Sequence, residues 1–449
     1  MEKQIRLLKQ CTYFVTMKHF KKLILPFFLL LTLATVAQTD VVPVFKGAIK
    51  ANREKTYNSI IKNSITQNLA LPLSDSTEAD WEDAFSATEL INYKEPWVKE
   101  KIKTAFDSIE RRSATFQRAL LELCYTNYPK DFKEEVFRFI NNTTIAKNFA
   151  MGAEYLVQQD HANSLAVFSI AFTKAIPLIK LLDSSESCKA IFKAMEARIY
   201  NSVSSDKDFA KKLKSLFKKD YLSSNTIVYS IQRKNRNYPG LVVLRGKDGN
   251  FVTDDTGNIF SVPQLARSIT NLPGYLTNGN TPQGLFRMYG FAVSKSPALG
   301  PTENLQLTMP FETSIQHFLK DSSVRDTVWT EELYRKLLPK SLQSDIALYE
   351  TYTASRAGRT EIIAHGTTVD PEYYKGQTYY PYTPTAGCLA TKEIWSGIDG
   401  KRTISDQQKL VDAVKKAGGA DGYVIVFEID DQQKPVSINE VLPYIKSHQ

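Results

Sequence analysis

Histidine and cysteine are scarce in this 449-residue chain, with five of one and four of the other. No two histidines sit one helical turn apart and no Cys-x-x-Cys occurs. The spacings that gather a zinc site are therefore missing, and no metal is expected. A glycine-rich phosphate loop is also missing, and no cofactor is expected. Only one apolar run stands out, residues 23–33, and it is too short to span a bilayer comfortably. The chain lacks a strong charge imbalance as well. Residues 1–37 hold six Lys/Arg and one Glu, so about +4 of the net +9 remains for the rest. That is too mild for a nucleic-acid-binding surface, and no nucleic-acid partner is expected.

Basic residues from Met17 to Lys22 precede the apolar run, and Thr35-Val-Ala37 places small residues where a signal peptidase reads. This pattern predicts a signal peptide over residues 1–37 and export to a bacterial periplasm or cell envelope. Cys11 leaves with it. Cys124 and Cys188 fall on apolar helical faces and read as buried thiols or as one disulfide. On either reading Cys388 remains a free thiol.

The composition divides near residue 225. Residues 38–224 carry apolar positions at three- and four-residue spacing, as in Ile102, Phe106 and Ile109, then Phe116, Leu120 and Leu123. They predict an all-α bundle or short solenoid. The lysine-rich stretch 207–219 reads as a solvated face closing that region. Residues 225–449 read as β-rich. Strands are expected over 226–231 and 240–245, a turn at Thr281-Pro-Gln-Gly284, and a strand after it. A helical insertion over 311–352 reads as a lid, a groove wall or packing. A helix over 405–416 and a strand over 423–429 close the chain. The fold class expected is α+β multidomain, a helical part followed by a sandwich-like sheet.

The remaining chemistry is nucleophilic. Arg359-Thr-Glu-Ile-Ile-Ala-His365-Gly reads as a strand delivering His365, and Thr385-Ala-Gly-Cys388 follows after a tyrosine-rich loop. A thiol has a pKa of about 8.5 and needs help to become a thiolate at neutral pH. His365 is the candidate base and Cys388 the candidate nucleophile. Gly387 removes a side chain beside the sulfur, and the backbone N–H groups of Gly387 and Cys388 are the candidate oxyanion donors. Arg356 and Arg359 are candidates for binding a substrate carboxylate. Gly366, Thr385 and Tyr382 are further candidate substrate contacts. Tyr373, Tyr374, Tyr379, Tyr380 and Tyr382 form either a loop closing over substrate or one packed on its own domain.

Taken together, the Thr-Pro-Gln-Gly turn, His365-Gly, the Thr-Ala-Gly-Cys388 segment and the late strand resemble the L,D-transpeptidase catalytic domain, the YkuD family. The resemblance covers roughly residues 226–435. Two positions differ: the family's histidine two before the cysteine is Ala386, and its arginine two after is Ala390. The loop between His365 and Cys388 is also somewhat long for the family. The resemblance implies a transferase acting on peptidoglycan stem peptides through a Cys388 thioester, in cell-wall biogenesis and cell shape. The alternatives are a carboxypeptidase or other hydrolase at the same site, or an inactive wall-binding scaffold that keeps the fold. Contact with wall or envelope proteins is expected of the helical part.

Overall fold

The computed structural model describes residues 42–159, 173, 175–200 and 209–446. The expected signal peptide, His161, His448 and much of the stretch 161–182 lie outside the described residues.

The three- and four-residue periodicity forms helices Glu78–Leu90, Pro96–Phe106, Ala114–Asn127, Lys133–Asn142, Ala146–Gln159 and Glu186–Tyr200. Pro96 occupies the first turn of its helix, where its missing N–H costs nothing. Ser113 caps the next, its hydroxyl accepting from Phe116 N at 3.2 Å. Ile102, Phe106, Phe116, Leu120, Leu123, Val136 and Phe139 share one buried core. Cys124 and Cys188 lie in it as free thiols, and burial raises the pKa of both. The same core takes in Leu272, Tyr275, Leu276 and Ala357 from the region beyond. Helix Lys50–Ser59, which continues as a π-helix over Ile60–Gln67, also faces that region. Arg53 on it pairs with Asp370 at 2.8 Å.

From residue 226 the period becomes two. The strands are β1 (Thr226–Gln232), β2 (Gly240–Arg245), β3 (Ser261–Gln264), β4 (Gly284–Ala292), β5 (Asn304–Thr308), β6 (Ala364–His365), β7 (Leu389–Ala390), β8 (Glu393–Trp395), β9 (Arg402–Ser405) and β10 (Asp421–Glu428). Eight form one sheet in the order β3-β2-β1-β10-β4-β5-β6-β7, and β8 and β9 form a separate hairpin. The protein is thus a mixed α/β structure. The sheet is mixed: β1 runs parallel to β10 and β6 parallel to β7, and the other neighbours pair antiparallel. The crossover that delivers β10 is helix Asp406–Lys416, capped by Ser405. Leu265, just past β3, exchanges both backbone hydrogen bonds with Ala390 of β7 at 2.8 Å. The two ends of the sheet therefore meet, and it curls nearly into a barrel.

Alternation sorts the side chains. Ile227, Tyr229 and Ile231 of β1 join Tyr423, Ile425 and Phe427 of β10 on one face. Val228, Val424 and Val426 face the other way, into a core shared with Leu305, Ala364, Leu389 and Leu410. Strands buried on both faces read as near-continuous apolar runs, as β1 and β10 do. The insertion supplies Phe318, Tyr334, Leu338 and Leu348 to the first face, so it is packing. Helix Phe209–Leu216 points Leu213 and Leu216 into that face too. The apolar stripe of the lysine-rich stretch closes the sheet, not the helical core.

Arg233, directly after β1, is fully buried. Its guanidinium pairs with Asp430 at 2.6 Å and Glu440 at 2.8 Å, and its Nε donates to Lys434 O at 3.0 Å. It fastens the end of β1 to the last helix, Ile438–Lys446. Removing one partner of a buried ion pair strands the other charge. Arg233→Ala is expected to cost about 3–5 kcal/mol in denaturant unfolding. A loss below about 1 kcal/mol would show the network to be dispensable.

Candidate active site

His365 ends β6 and Cys388 immediately precedes β7. The parallel register pairs Ala364 with Leu389 and His365 with Ala390, and Leu389 N donates to Ile363 O at 3.0 Å. Ala364 and Leu389 point into the barrel-like core. By alternation His365 and Cys388 share the opposite face, two positions apart along the ladder. From strand rise and spacing, their backbones are about 8 Å apart on that diagonal. His365 Nδ1 lies 2.5 Å from Gly366 O, an arrangement that makes Nδ1 the protonated nitrogen and leaves Nε2 as the acceptor. Cys388 Sγ donates to Glu361 O at 3.7 Å and is half-buried. The ring leans one way along the strand and the thiol the other.

Burial sets the chemistry of His365. The ring is 4 % exposed, and desolvation lowers its pKa to about 4 against a smaller raising effect from Gly366 O. It is neutral at neutral pH. Full transfer of a proton to it from an ordinary thiol spans about 4.5 pKa units, roughly 6 kcal/mol before any attraction between the ions. A resting thiolate–imidazolium pair is therefore disfavoured at His365.

The loop between the two residues packs over the same outer face. Tyr374, Tyr379 and Tyr382 cluster on Leu265, which shares the face of Ala390. Thr383 Oγ1 donates to Thr367 Oγ1 at 3.0 Å and Trp395 Nε1 to Thr367 O at 2.9 Å, closing the loop at its base. Tyr374 OH reaches Leu90 O at 2.9 Å, and Tyr373 packs on Tyr57 with centroids 5.8 Å apart. The tyrosine loop is thus a packed roof, braced by the helical part. Tyr382 lies within it, under Lys392.

The remaining candidates divide. Gly366 is buried, and a Cβ there would run into the Glu393 carboxylate. Thr385 forms the turn: its hydroxyl accepts from Gly387 N and donates to Cys388 O, both at 3.0 Å. Gly387 N–H is thereby committed to Thr385 and not to an oxyanion, a correction to the role expected of it. Arg356 pairs with Glu186 on the helical part, away from Cys388. Arg359 lies 5 % exposed against Gly387, where a Cβ would meet its guanidinium. The Thr-Pro-Gln-Gly turn is joined to the same place by Thr281 Oγ1, which donates to Gly387 O at 2.8 Å. Most of the insertion lies away from the site, but its two ends reach it through Glu312 and Glu350.

Two residues escaped sequence reading. Glu393 is buried, accepting at one oxygen from Thr302 Oγ1 and Ser405 Oγ at 2.6 Å each, and burial raises its pKa. It packs on Gly366, whose carbonyl orients His365. Glu312, whose pKa burial also raises, accepts from Glu361 N at 2.7 Å and so fixes the carbonyl that receives the thiol. Neither sits in a motif, and only the folded contacts reveal them.

The depressed pKa of His365 makes a signed prediction. The unfolded ring binds a proton near pH 6.5 and the folded ring only near 4, so the unfolded state holds more protons between them. Its contribution is complete above pH 6.5 and is lost as pH falls toward 4. Denaturant unfolding should lose up to about 3 kcal/mol over that window relative to His365→Asn, which keeps a donor for Gly366 O. Parallel pH profiles would show the ring to be solvated. Thr281→Val, which removes the hydrogen bond to buried Gly387 O, is expected to cost about 1–3 kcal/mol by the same measurement.

Comparison of the chain with known proteins finds no matching family model, no matching curated relative and no matching solved structure.

Proposed function

We propose that this chain is an exported cysteine-dependent acyl transferase acting on peptidoglycan stem peptides, in the manner of an L,D-transpeptidase. The observation that carries the reading is the β6–β7 register, which sets His365 and Cys388 on one face of a shared ladder. A thiol half-open to solvent and a neutral imidazole on the same face of the ladder suit nucleophilic attack on a carbonyl. The bridge from Thr281 to Gly387 supports it further, because it ties the Thr-Pro-Gln-Gly turn to the cysteine turn.

In the proposed reaction the Cys388 sulfur forms a bond to the carbonyl carbon of a diamino-acid residue in a stem peptide. The thiol proton passes to Nε2 of His365 as that bond forms. The C–N bond to the terminal D-amino acid then breaks, and the leaving amine takes the proton. An amine of a second stem attacks the thioester and regenerates the thiol, leaving a cross-link. A free D-amino acid as acceptor gives exchange, and water gives a carboxypeptidase. Approach of Nε2 to the sulfur requires a local rearrangement, because the ring is buried in the described state.

One set of observations favours a second reading, a wall-binding scaffold without turnover. Ala386 and Ala390 stand where the family carries histidine and arginine, and Gly387 N–H is engaged within its own turn. Incubation with purified muropeptides separates the two. The transferase reading expects cross-linked or exchanged product from the native protein, and a loss of at least about 10³-fold in Cys388→Ala. Product formation by Cys388→Ala at the native rate would falsify the thioester mechanism. Muropeptide binding with no turnover by the native protein would favour the scaffold.

A further inference from the structure

The Arg359 guanidinium is buried without a carboxylate on it. Nη1 donates to Asn280 O at 2.6 Å and also to Gly274 O, and Nη2 donates to Gly279 O. Among the described residues no Asp or Glu lies within ion-pair distance of it. Three carbonyls hold the fork in place but do not neutralise its charge, and a buried cation without an anion is unfavourable. The guanidinium lies against Gly387, one residue from the thiol. The glycine is what allows this approach, since any side chain at φ +114° would be strained and would displace the guanidinium.

We propose that Arg359 is a positioning residue whose charge holds Cys388 as a thiolate, rather than a ligand for a substrate carboxylate. Its role in acyl transfer rests on the reading above. The pairing itself rests on the buried fork beside Gly387. The proton that leaves the sulfur goes to water through its exposed side, so no co-reactant is needed. With the sulfur already ionised, His365 takes no proton from it; the proton given up to water returns through Nε2 to the leaving amine as the C–N bond breaks. Burial lowers the pKa of Arg359 to about 10, and Cys388 heads the groups that oppose the fall. The guanidinium therefore stays charged through neutral pH.

Other charges face the pair. Glu312 and Glu350 act on Arg359 from the turn Pro310–Glu312 and the helix Glu350–Arg356. Both carboxylates are bound elsewhere, Glu312 by Met309 N and Glu361 N, Glu350 by Gln283 N. Glu361 lies beside the thiol through its carbonyl, and burial raises the pKa of its exposed-side carboxyl. Lys147, on helix Ala146–Gln159, adds positive charge near Arg359 and has its own pKa lowered by burial. The glutamates oppose a thiolate, and Arg359 and Lys147 favour one.

The test is the pH dependence of alkylation at Cys388 in the full chain, read by mass spectrometry of its peptide with iodoacetamide as probe. The thiolate displaces iodide, so the rate follows the thiolate fraction. The expected midpoint in the native protein lies below the ordinary thiol value of about 8.5. Arg359→Met should raise it and slow labelling at pH 7 at least about 10-fold, with Arg359→Lys in between. An unchanged midpoint in a folded Arg359→Met protein overturns the proposal. A native midpoint at or above about 8.5 overturns it with no variant needed, even if both substitutions unfold the chain. A purely structural arginine would leave the midpoint in place. Labelling needs no turnover, so a native protein that makes no muropeptide product defeats the transferase reading while the midpoint still decides the pairing.

Discussion

The short parallel ladder between β6 and β7 is the constraint on which the site depends. Each strand is two residues long, so the ladder would be marginal alone. It is held by its neighbours: β5 pairs on one side through Leu305 and Ala364, and Leu265 closes the other side against Ala390. Once that closure is made, parity fixes everything else. Ala364 and Leu389 are committed to the interior, and His365 and Cys388 must face outward together. A slip of one residue would exchange the sets, burying the thiol in the barrel core and exposing Ala364 and Leu389. The apolar character of the interior positions is what excludes that slip.

The outward face does not meet solvent along its whole length, and this gives the helical part a physical role. Leu272, Tyr275 and Leu276 insert into the helical core, and Tyr275 OH donates to Glu154 at 2.9 Å. The segment 272–280 that they anchor also supplies the three carbonyls that hold Arg359. At the other edge Arg53, Tyr57 and Leu90 brace the tyrosine loop through Asp370, Tyr373 and Tyr374. The helical part thus braces both the tyrosine loop and the cradle of the guanidinium. Any rearrangement of that loop must be shared by contacts on helix Lys50–Ser59 and the π-helix after it. A cavity of about 140 Å³ lies along that seam, lined by Ile60, Ser64, Val369 and Tyr373. Imperfect packing there leaves room for the roof to move without breaking the core.

Much of the scaffold was legible in the chain because local patterns are strong where packing is regular. β1, β2, β10 and helix Asp406–Lys416 fall within two residues of where alternation and capping put them. Sequence order could not show that β10 inserts between β1 and β4, because nothing in a strand's own residues names a partner two hundred positions away. The same limit governs the site. His365 and Cys388 were visible as residue types beside glycine. Arg359 was visible only as a charge, and its neighbour was misassigned: it looked outward to a substrate, whereas in the fold it lies inward against Gly387. The lysine-rich helix shows the converse. Its stripe was plain, but which core it enters is set by tertiary contacts with Tyr229 and Phe251 through Phe217.

Separating the two charges of a thiolate chemistry has a physical logic in this chain. A cysteine–histidine ion pair in the resting state needs an imidazole that is wet enough to hold a proton. Here the ring is buried and weakly basic, while a permanent cation lies against Gly387, the residue before the cysteine. Arginine suits that position because its charge survives burial where an imidazolium's does not. On the proposed mechanism the labour is divided, the guanidinium activating the sulfur and His365 serving proton delivery to the leaving amine. Gly387 makes this approach feasible, since the guanidinium occupies the space a side chain there would fill.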